Sequence, residues 1–379
     1  METKLLNGNN KEAIAEASKI LQDGGLVAFP TETVYGLGAD ALNADAAAKI
    51  YAAKGRPSDN PLIVHIADTD AVEKLADLET MNRTHPDMVK KAHMLMEAFW
   101  PGPLTIIFPK LAIVPDGTTG GLPTVAIRMP SHPIAQELIR TSGVSIAAPS
   151  ANTSGRPSPT TAQHVWEDMD GRIEMILDGG AVGIGIESTI VDMTGTIPTI
   201  LRPGFITKTM LSEIVGDVTI DPAIIEPDPN LRPKAPGMKY THYAPHGTLS
   251  IVEAVADESA NRASLHSGVK VSYNATEAET LRVAEKIKAL VNEKEAQGYK
   301  VAILTTKEHA SLYKNYSHVL IVGEGSKGQT ISARLYAALR ECDNEQMEYM
   351  YSEAFDQNEL GGAIMNRLLK AAGHRVITV

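Results

Sequence analysis

Cations, hydroxyl side chains and glycines are concentrated between residues 29 and 65, a composition suited to binding a phosphorylated anion. Residues 29–40 read FPTETVYGLGAD and follow the apolar run GLVAF. Residues 54–65 read KGRPSDNPLIVH, which puts Lys54, Arg56 and Asn60 in front of a second apolar run that ends on His65. The pattern predicts a strand that opens into a glycine turn at Gly36 and Gly38. We expect these groups at the ends of neighbouring strands, where open α/β sheets bind ligands.

Two arginines and one polar loop extend this candidate site. Arg128 and Arg202 each end a predicted strand close to a proline, and a guanidinium can pair bidentately with a carboxylate or a phosphate. An internal salt bridge is the alternative for each arginine. Residues 149–161, PSANTSGRPSPTT, contain almost no apolar side chain, and a loop of this kind inside a domain is usually functional or disordered.

Plainer interpretations remain open for several of these residues. Lys54 and Arg56 could simply complement a helix dipole, and His65 could be a core histidine. Ser188 and Thr189 in GIESTIV could be ordinary polar positions of a strand. The sequence shows no nucleophile elbow, paired carboxylates or Cys–His couple, so the chemistry it favours is positioning and charge stabilisation.

Two other motifs resemble a phosphate-binding loop and a zinc site, but neither has the residues or the geometry that such a site needs. GEGSKGQT at residues 323–330 resembles a phosphate-binding loop, but Gln329 stands where that loop needs its lysine, which favours a helix-capping turn. His242 and His246 are four residues apart, but Pro245 interrupts the helix that would place both on one zinc ion.

Composition limits the class of protein. The 379 residues are 43% hydrophobic and 21% charged, which is typical of soluble globular domains and is long enough for two of them. A net charge of −11 disfavours stable nucleic-acid binding and any anionic membrane surface. The one cysteine, Cys342, excludes an intramolecular disulfide and a cysteine-rich zinc site, and no apolar leader or spanning segment is visible, so we expect a cytoplasmic protein.

The pattern of apolar residues predicts an α/β protein with three parts. Residues 1–220 alternate short strands and helices, with at least seven strands. Residues 221–246 are rich in proline and predict a linker. Residues 247–379 predict a smaller Rossmann-like domain with strands at 249–252, 269–273, 301–305 and 319–322, and helices at 276–297, 330–342 and 358–372.

Eight motifs, in order along the chain, resemble one known family. They are FPTETVYGLGADA, KGRPSDNPLIVH, WPGPLT, VAIRMP, APSANTSGRPSPT, ESTIVD, LRPG and APGMKYTHYAP. Together they resemble the YrdC/YwlC family of L-threonylcarbamoyladenylate synthases, in its longer two-domain form. The resemblance covers nearly the whole chain and implies a YrdC-like twisted sheet around a deep cavity, rather than a plain doubly wound sheet.

The resemblance implies an activity and a set of site residues. The activity joins L-threonine, bicarbonate or CO2 and ATP, with Mg²⁺, into threonylcarbamoyl-AMP and pyrophosphate, and the product is handed to a tRNA threonylcarbamoyltransferase complex for the t6A37 modification. The residues implied for threonine are Thr33, His65, Arg128, Ala148 and Ser188. Those implied for ATP are Arg56, Asn60, Thr124, Ser150, Asn152, Ser158, Arg202 and a linker tyrosine, Tyr240 or Tyr243, which would close over the nucleotide. Lys54, Arg56 and Arg202 would stabilise the developing charge, and no protein-held metal is expected.

Two rival functions use the same kind of domain. An RNA-binding YrdC-like module is disfavoured by the net charge of −11. A carbamoyltransferase with a YrdC-like domain is disfavoured because such proteins carry cysteine-rich zinc modules, and this chain has one cysteine.

Overall fold

A computed structural model describes residues 2–224, 235–236, 243–254, 275–355 and 360–379. The chain divides into two compact units. The first contains Met1–Ser154 and Ser158–Tyr240, and the second contains Gly155–Pro157 and Thr241–Val379. The predicted strand at 269–273 and most of the predicted linker lie outside the described residues, so the linker boundaries stay a prediction.

The first unit is built on one large mixed sheet. Its eleven described strands are β1 Lys4–Asn7, β2 Val27–Phe29, β3 Gly36–Asp40, β4 Ile63–His65, β5 Leu104–Pro109, β6 Thr124–Arg128, β7 Ile146–Ala148, β8 Met175–Asp178, β9 Thr189–Asp192, β10 Thr199–Arg202 and β11 Thr219–Ile220. They lie in the order β1-β8-β2-β3-β7-β4-β6-β5-β9-β10-β11. In the centre, β4 is parallel to β6 and antiparallel to β7, so the sheet is not the plain doubly wound kind.

The helices of the first unit follow ordinary capping rules. They are α1 Lys11–Gln22, α2 Ala44–Lys54, α3 Leu78–Thr84, α4 Pro86–Phe99, α5 Asp116–Thr119, α6 Pro133–Ser142, α7 Ala162–Met169 and α8 Lys208–Val215. The predicted cap Asn43 accepts hydrogen bonds from the first turn of α2, and Gly55 ends that helix in the left-handed conformation (φ 62°). Lys54 and Arg56 are therefore fixed at the end of α2, as predicted.

The turn predicted after Phe29 is present at residues 30–35, but Gly36 and Gly38 are not part of it, because they belong to β3. This strand pairs antiparallel with β2, with Gly38 opposite Val27. A Cβ atom on Gly38 would lie 2.7 Å from Ile146 Cγ2 and 2.8 Å from Phe29 Cε1. Glycine is used here for close packing against neighbouring side chains, not for a turn.

The sheet of the first unit has buried side chains on both faces. Successive residues of a strand point to opposite faces, and accordingly Val64 lies in the large core with Leu37 and Ile127. Its neighbour Ile63 lies in a separate small cluster with Ile107, Ala126, Ile190, Leu201 and Ala235. Ala235, from the predicted linker, is fully buried in that cluster. The face that carries Ile63 is thus the one that the described linker residues cover.

The second unit is a Rossmann-like α/β domain. Its described strands are β12 Thr248–Glu253, β13 Val301–Thr305, β14 Val319–Ile321, β15 Tyr349–Glu353 and β16 Val376–Thr378, all parallel, in the order β14-β13-β15-β12-β16. Its helices are α9 Glu277–Ala296, α10 Gly328–Asn344 and α11 Leu360–Ala371. The α/β class with a smaller parallel second domain is confirmed, while the central strand β15 was not predicted.

Candidate active site

Three of the five residues predicted to bind threonine lie on one face of the sheet. His65 and Arg128 are register partners in β4 and β6, and Ile63 is the partner of Ala148 in β7. Directly paired residues share a face, as do residues two apart, so His65, Arg128 and Ala148 project from the same side. All three are buried, at 3%, 4% and 3% exposed. Their face is the one that carries Ile63.

Arg128 is held by three hydrogen bonds from its guanidinium. Nη1 donates to Thr33 Oγ1 at 2.9 Å, Nε donates to the carbonyl of Gly102 at 3.3 Å, and Nη2 pairs with Glu32 Oε1 at 2.6 Å. Each terminal nitrogen has a second N–H, and neither has an acceptor among the described residues. Thr33 and Arg128 are therefore in contact, and one N–H group on each terminal nitrogen remains available for a carboxylate.

His65 is a neutral residue in this site. Complete burial, and then the positive charge of Arg128, lower the pKa of His65 to about 3. Its Nδ1 lies 3.1 Å from the carbonyl of Ile63, and the backbone of Ile146 makes a second hydrogen bond to the ring. Both contacts hold the imidazole in place within the sheet.

Ser188 and Arg202 are hydrogen-bonded to each other. Arg202 Nη2 donates to Ser188 Oγ at 3.0 Å, and Nε donates to the carbonyl of Ser188 at 3.0 Å. Ser188 Oγ also lies 2.7 Å from Thr105 Oγ1, and Thr105 is the register partner of Arg128. Contacts within the sheet thus connect the predicted threonine residues to Arg202, which was predicted to bind ATP.

Lys54 lies under the polar loop that follows β7. It is 3% exposed, and its Nζ donates to the carbonyl of Ser150 at 2.5 Å and to the carbonyl of Asn152. Ser154 N donates back to the carbonyl of Lys54 at 2.9 Å, and Ser150 Oγ bonds Asn152 Oδ1 at 2.5 Å. The structure therefore brings Lys54, Ser150 and Asn152 together, and Lys54 holds the loop backbone as well as supplying charge.

Arg56 and Asn60 sit together at the start of the second apolar run. Arg56 Nη2 donates to the carbonyls of Asn60 and Pro61, both at 3.2 Å. Asn60 is 2% exposed, and its Oδ1 has no hydrogen-bond partner in the described part of the chain. A buried amide oxygen without a partner is unfavourable, so this atom is suited to accept a donor from a ligand.

Ser158 and Thr124 differ in how they relate to this cluster. Ser158 is fully buried, and its hydroxyl donates to Glu187 Oε1 at 2.6 Å. Glu187 directly precedes Ser188 in the chain. Thr124 is half-buried at the start of β6, the opposite end of the strand from Arg128. The structure does not bring Thr124 into contact with Arg128, and its role stays a prediction.

The linker residues are described only in part. Tyr240 lies outside the described residues. Tyr243 belongs to the second unit, where its ring lies 5.1 Å from that of Tyr336. Arg202 Nη1 donates to the carbonyl of Pro236 at 3.4 Å, which places this piece of the linker beside the first unit's site. The closing tyrosine therefore stays a prediction.

Three residues near the site were not predicted from the sequence: Glu32, Thr105 and Glu187. All three lie inside motifs that the sequence analysis quoted, and Glu32 and Glu187 are each next to a predicted site residue. Thr105 is fully buried in an otherwise apolar strand, and a hydroxyl in such a run was the available signal.

The phosphate-loop resemblance in the second unit has a plain structural explanation. Glu308 Oε2 accepts from Gly325 N at 2.8 Å, and Thr330 Oγ1 accepts from Glu324 N at 2.8 Å. Side chains of the protein already occupy these backbone donors, which agrees with the capping turn.

Only one member of the histidine pair is described by the structure. His242 lies outside the described residues, and His246 lies 3.4 Å from Asp343. Within the described ranges no three His, Cys, Asp or Glu side chains are grouped to hold a metal ion. No helix in these ranges is long and apolar enough to cross a membrane.

Two family models match successive parts of the chain. Residues 19–204 match the Sua5/YciO/YrdC family, described as "Telomere recombination". Residues 206–373 match the family described as "Threonylcarbamoyl-AMP synthase, C-terminal domain".

Full-length relatives and a solved structure point the same way. The chain is 46% identical to a threonylcarbamoyl-AMP synthase of Bacillus subtilis, covering 97% of this chain and 95% of the relative. It is 41% identical to one from Pyrococcus abyssi, covering 98% of each. The crystal structure of Pyrococcus abyssi Sua5 complexed with L-threonine matches with a TM-score of 0.84 and 40% identity, over 100% of both chains. The chain belongs to the threonylcarbamoyl-AMP synthase family, in its two-domain Sua5 form.

Proposed function

We propose that this protein makes L-threonylcarbamoyl-AMP from L-threonine, bicarbonate or CO2 and ATP, and releases pyrophosphate. The observation that carries the proposal is the hydrogen bonding of Arg128. Its guanidinium is buried, and two of its terminal N–H groups have no acceptor among the described residues. It stands beside neutral His65, in a chain whose relatives carry the name of this synthase.

The carboxylate of threonine is the ligand group that Arg128 suits best. An open N–H group on each terminal nitrogen can donate to the two oxygens of a carboxylate, and burial strengthens such charge-assisted bonds. Because His65 carries no charge near neutral pH, it does not repel the amine that must react. Thr33 and Ser188 supply hydroxyls, and Ala148 presents a methyl group to the same face.

A second group of residues is proposed to bind the triphosphate of ATP. Arg202 and Arg56 bring guanidinium charge, and Lys54 holds the loop that carries Ser150 and Asn152. Charge accumulates on the phosphate oxygens as pyrophosphate leaves, and fixed cations lower the energy of that state.

The reaction needs no nucleophile from the protein. The amine of threonine adds to CO2 to give a carbamate, and a carbamate oxygen then attacks the α-phosphorus while pyrophosphate departs with the bonding electron pair. The protein's share is to hold the carbamate and the α-phosphate in line, which converts an encounter in solution into a step within one complex.

The proposed Mg²⁺ would enter with ATP. The hydroxyl and amide oxygens of Ser150, Asn152 and Ser158 are hard ligands of the kind that Mg²⁺ accepts, alone or through water. When bound, the ion would supply charge neutralisation on the phosphates.

The cellular role follows from the product. A mixed anhydride of a carbamate and AMP is a reactive acyl donor, and we propose that a tRNA threonylcarbamoyltransferase complex in the cytoplasm consumes it.

An omission experiment tests the proposal. Purified protein is incubated with ATP, Mg²⁺, bicarbonate and L-threonine, and pyrophosphate is followed. We expect release to require both threonine and bicarbonate. Release that continues at the same rate without either one would overturn the assignment.

A further inference from the structure

Glu32 is a partly buried carboxylate that the proposed reaction leaves without a role. Its side chain is 14% exposed and its Oε1 lies 2.6 Å from Arg128 Nη2. Its Oε2 accepts from Ser131 N at 3.2 Å. Both oxygens are therefore engaged, one by the guanidinium and one by the backbone.

The backbone around Glu32 is held firmly. Thr31 Oγ1 donates to the carbonyl of Val34 at 2.6 Å and accepts from the amides of Thr33 and Val34, both at 3.2 Å. The carbonyl of Glu32 itself accepts from Ile184 N at 2.9 Å. A carboxylate on such a segment has little freedom to leave Arg128.

We propose that Glu32 is a positioning residue, which orients the Arg128 guanidinium so that its two remaining terminal N–H groups bind the substrate carboxylate. The inference rests on the proposed function for the identity of that carboxylate. Glu32 takes one N–H of Nη2 and Thr33 takes one of Nη1, so the guanidinium is fixed from both sides and one donor on each nitrogen stays open.

The alternative is that Glu32 competes with the substrate for Arg128. The two accounts predict opposite results when the carboxylate is removed. Competition predicts tighter threonine binding, because the positive charge of Arg128 would be released. Positioning predicts weaker binding, because the guanidinium loses its orientation and a buried charge loses its partner.

Titration calorimetry with L-threonine on the full-length protein separates them. We compare the wild type with Glu32→Ala and Glu32→Gln, and use Glu16→Gln as the control, since Glu16 pairs with Lys4 on the exposed surface. We expect the Kd for L-threonine to rise about tenfold in Glu32→Ala, the size of one charge-assisted hydrogen bond. Glu32→Gln keeps an oxygen that can accept from Nη2, so its Kd should lie between those of the wild type and Glu32→Ala. The control should leave the Kd unchanged.

A second ligand distinguishes positioning from a general loss of structure. L-threoninamide keeps the amine and the hydroxyl but has no carboxylate. We expect its Kd to change less than twofold in the same variants. An equal loss of both ligands would overturn the inference, as would an unchanged or lower Kd for L-threonine, or a wild-type protein that does not bind L-threonine. If Glu32→Ala fails to fold, Glu32→Gln decides, since it preserves the volume of the side chain.

This measurement does not depend on turnover. A wild type that binds L-threonine but releases no threonine-dependent pyrophosphate would contradict the proposed function and leave the role of Glu32 to be judged by binding alone.

Discussion

Arg202 donates hydrogen bonds to both the side chain and the backbone carbonyl of Ser188, each at 3.0 Å. Ser188 is proposed to bind threonine and Arg202 is proposed to bind the nucleotide. The two substrates would therefore meet at a pair of residues that are already bonded in the protein. We expect this contact to make the two proposed binding sites energetically dependent on each other.

Ser188→Ala tests that dependence. The substitution removes the acceptor of Arg202 Nη2 and the hydroxyl partner of Thr105, leaving two buried polar groups short of a bond. We expect kcat/KM to fall about tenfold for threonine and by a similar factor for ATP. Steady-state kinetics with each substrate varied in turn give both values, and Ser311→Ala, at an exposed site in the second unit, is the control. A change confined to the threonine parameters would show that the bond does not couple the sites.

Arg128 should act on threonine alone. Arg128→Ala removes the two open N–H groups and the charge, and Arg128→Lys keeps the charge but loses the planar fork. We expect the KM for threonine to rise about 100-fold in the alanine variant and about tenfold in the lysine variant, while the KM for ATP stays within about twofold. The exposed Arg140→Ala serves as the control. Equal effects on both substrates would remove Arg128 from the threonine site.

His65 should make folding stability depend on pH. Burial and Arg128 lower its pKa in the folded protein to about 3, whereas an unfolded histidine titrates near 6.5. Below about pH 6.5 the unfolded state therefore binds a proton that the folded state does not. The stability associated with neutral His65 is present above that pH and is lost as the pH falls toward the folded pKa. The free energy of unfolding then decreases by up to about 1.4 kcal/mol per pH unit for this one group.

Urea unfolding at pH 7 and pH 5 measures this contribution. Carboxylates add their own pH dependence, so the wild type is compared with His65→Gln, and the exposed His93→Gln is the matched control. We expect the drop in stability between the two pH values to be about 2 kcal/mol smaller in His65→Gln than in the wild type. The same drop in both proteins would contradict a neutral, buried His65.

Gly38→Ala should destabilise the first unit. Its Cβ atom would lie within 3 Å of both Ile146 and Phe29, and neither strand can move without disturbing its neighbours. We expect a loss of about 1–3 kcal/mol in the free energy of unfolding. Gly183→Ala is the matched control, because a Cβ there meets no heavy atom within 4 Å, and its effect should stay within about 0.5 kcal/mol. Equal stability of the two variants would contradict the packing.

Local patterns predicted most elements of the fold, and failed where long-range packing decides. Strands β13 and β10 and helix α2 carry clear apolar runs or caps, and the structure has them where they were expected. The two glycines of β3 were assigned to the turn that precedes it, since nothing local shows that Phe29 and Ile146 pack against Gly38. β15, YMYSE, is the central strand of the second sheet. It was not predicted because it contains polar residues, and these are buried only by the strands and helices that pack around it.

The sequence predicted which residues belong to the candidate site, but not which residues contact them. Motifs placed His65, Arg128, Ser188 and Arg202 in one site, and the structure brings these four together. The partners that orient them could not be read from the sequence. Glu32 contacts Arg128 across 96 positions of the chain, and Thr105 contacts Ser188 across 83. Contacts of that range depend on the order of strands in the sheet, which spacing along the chain does not reveal.

The most direct test of the central claim follows the carbon of bicarbonate. Wild-type protein is incubated with ATP, Mg²⁺, L-threonine and ¹³C-bicarbonate, and the nucleotide products are analysed by mass spectrometry. The account predicts one product that contains AMP, threonine and one ¹³C atom, formed in equal amount with pyrophosphate. Pyrophosphate formed with AMP but without any labelled threonyl adduct would contradict it.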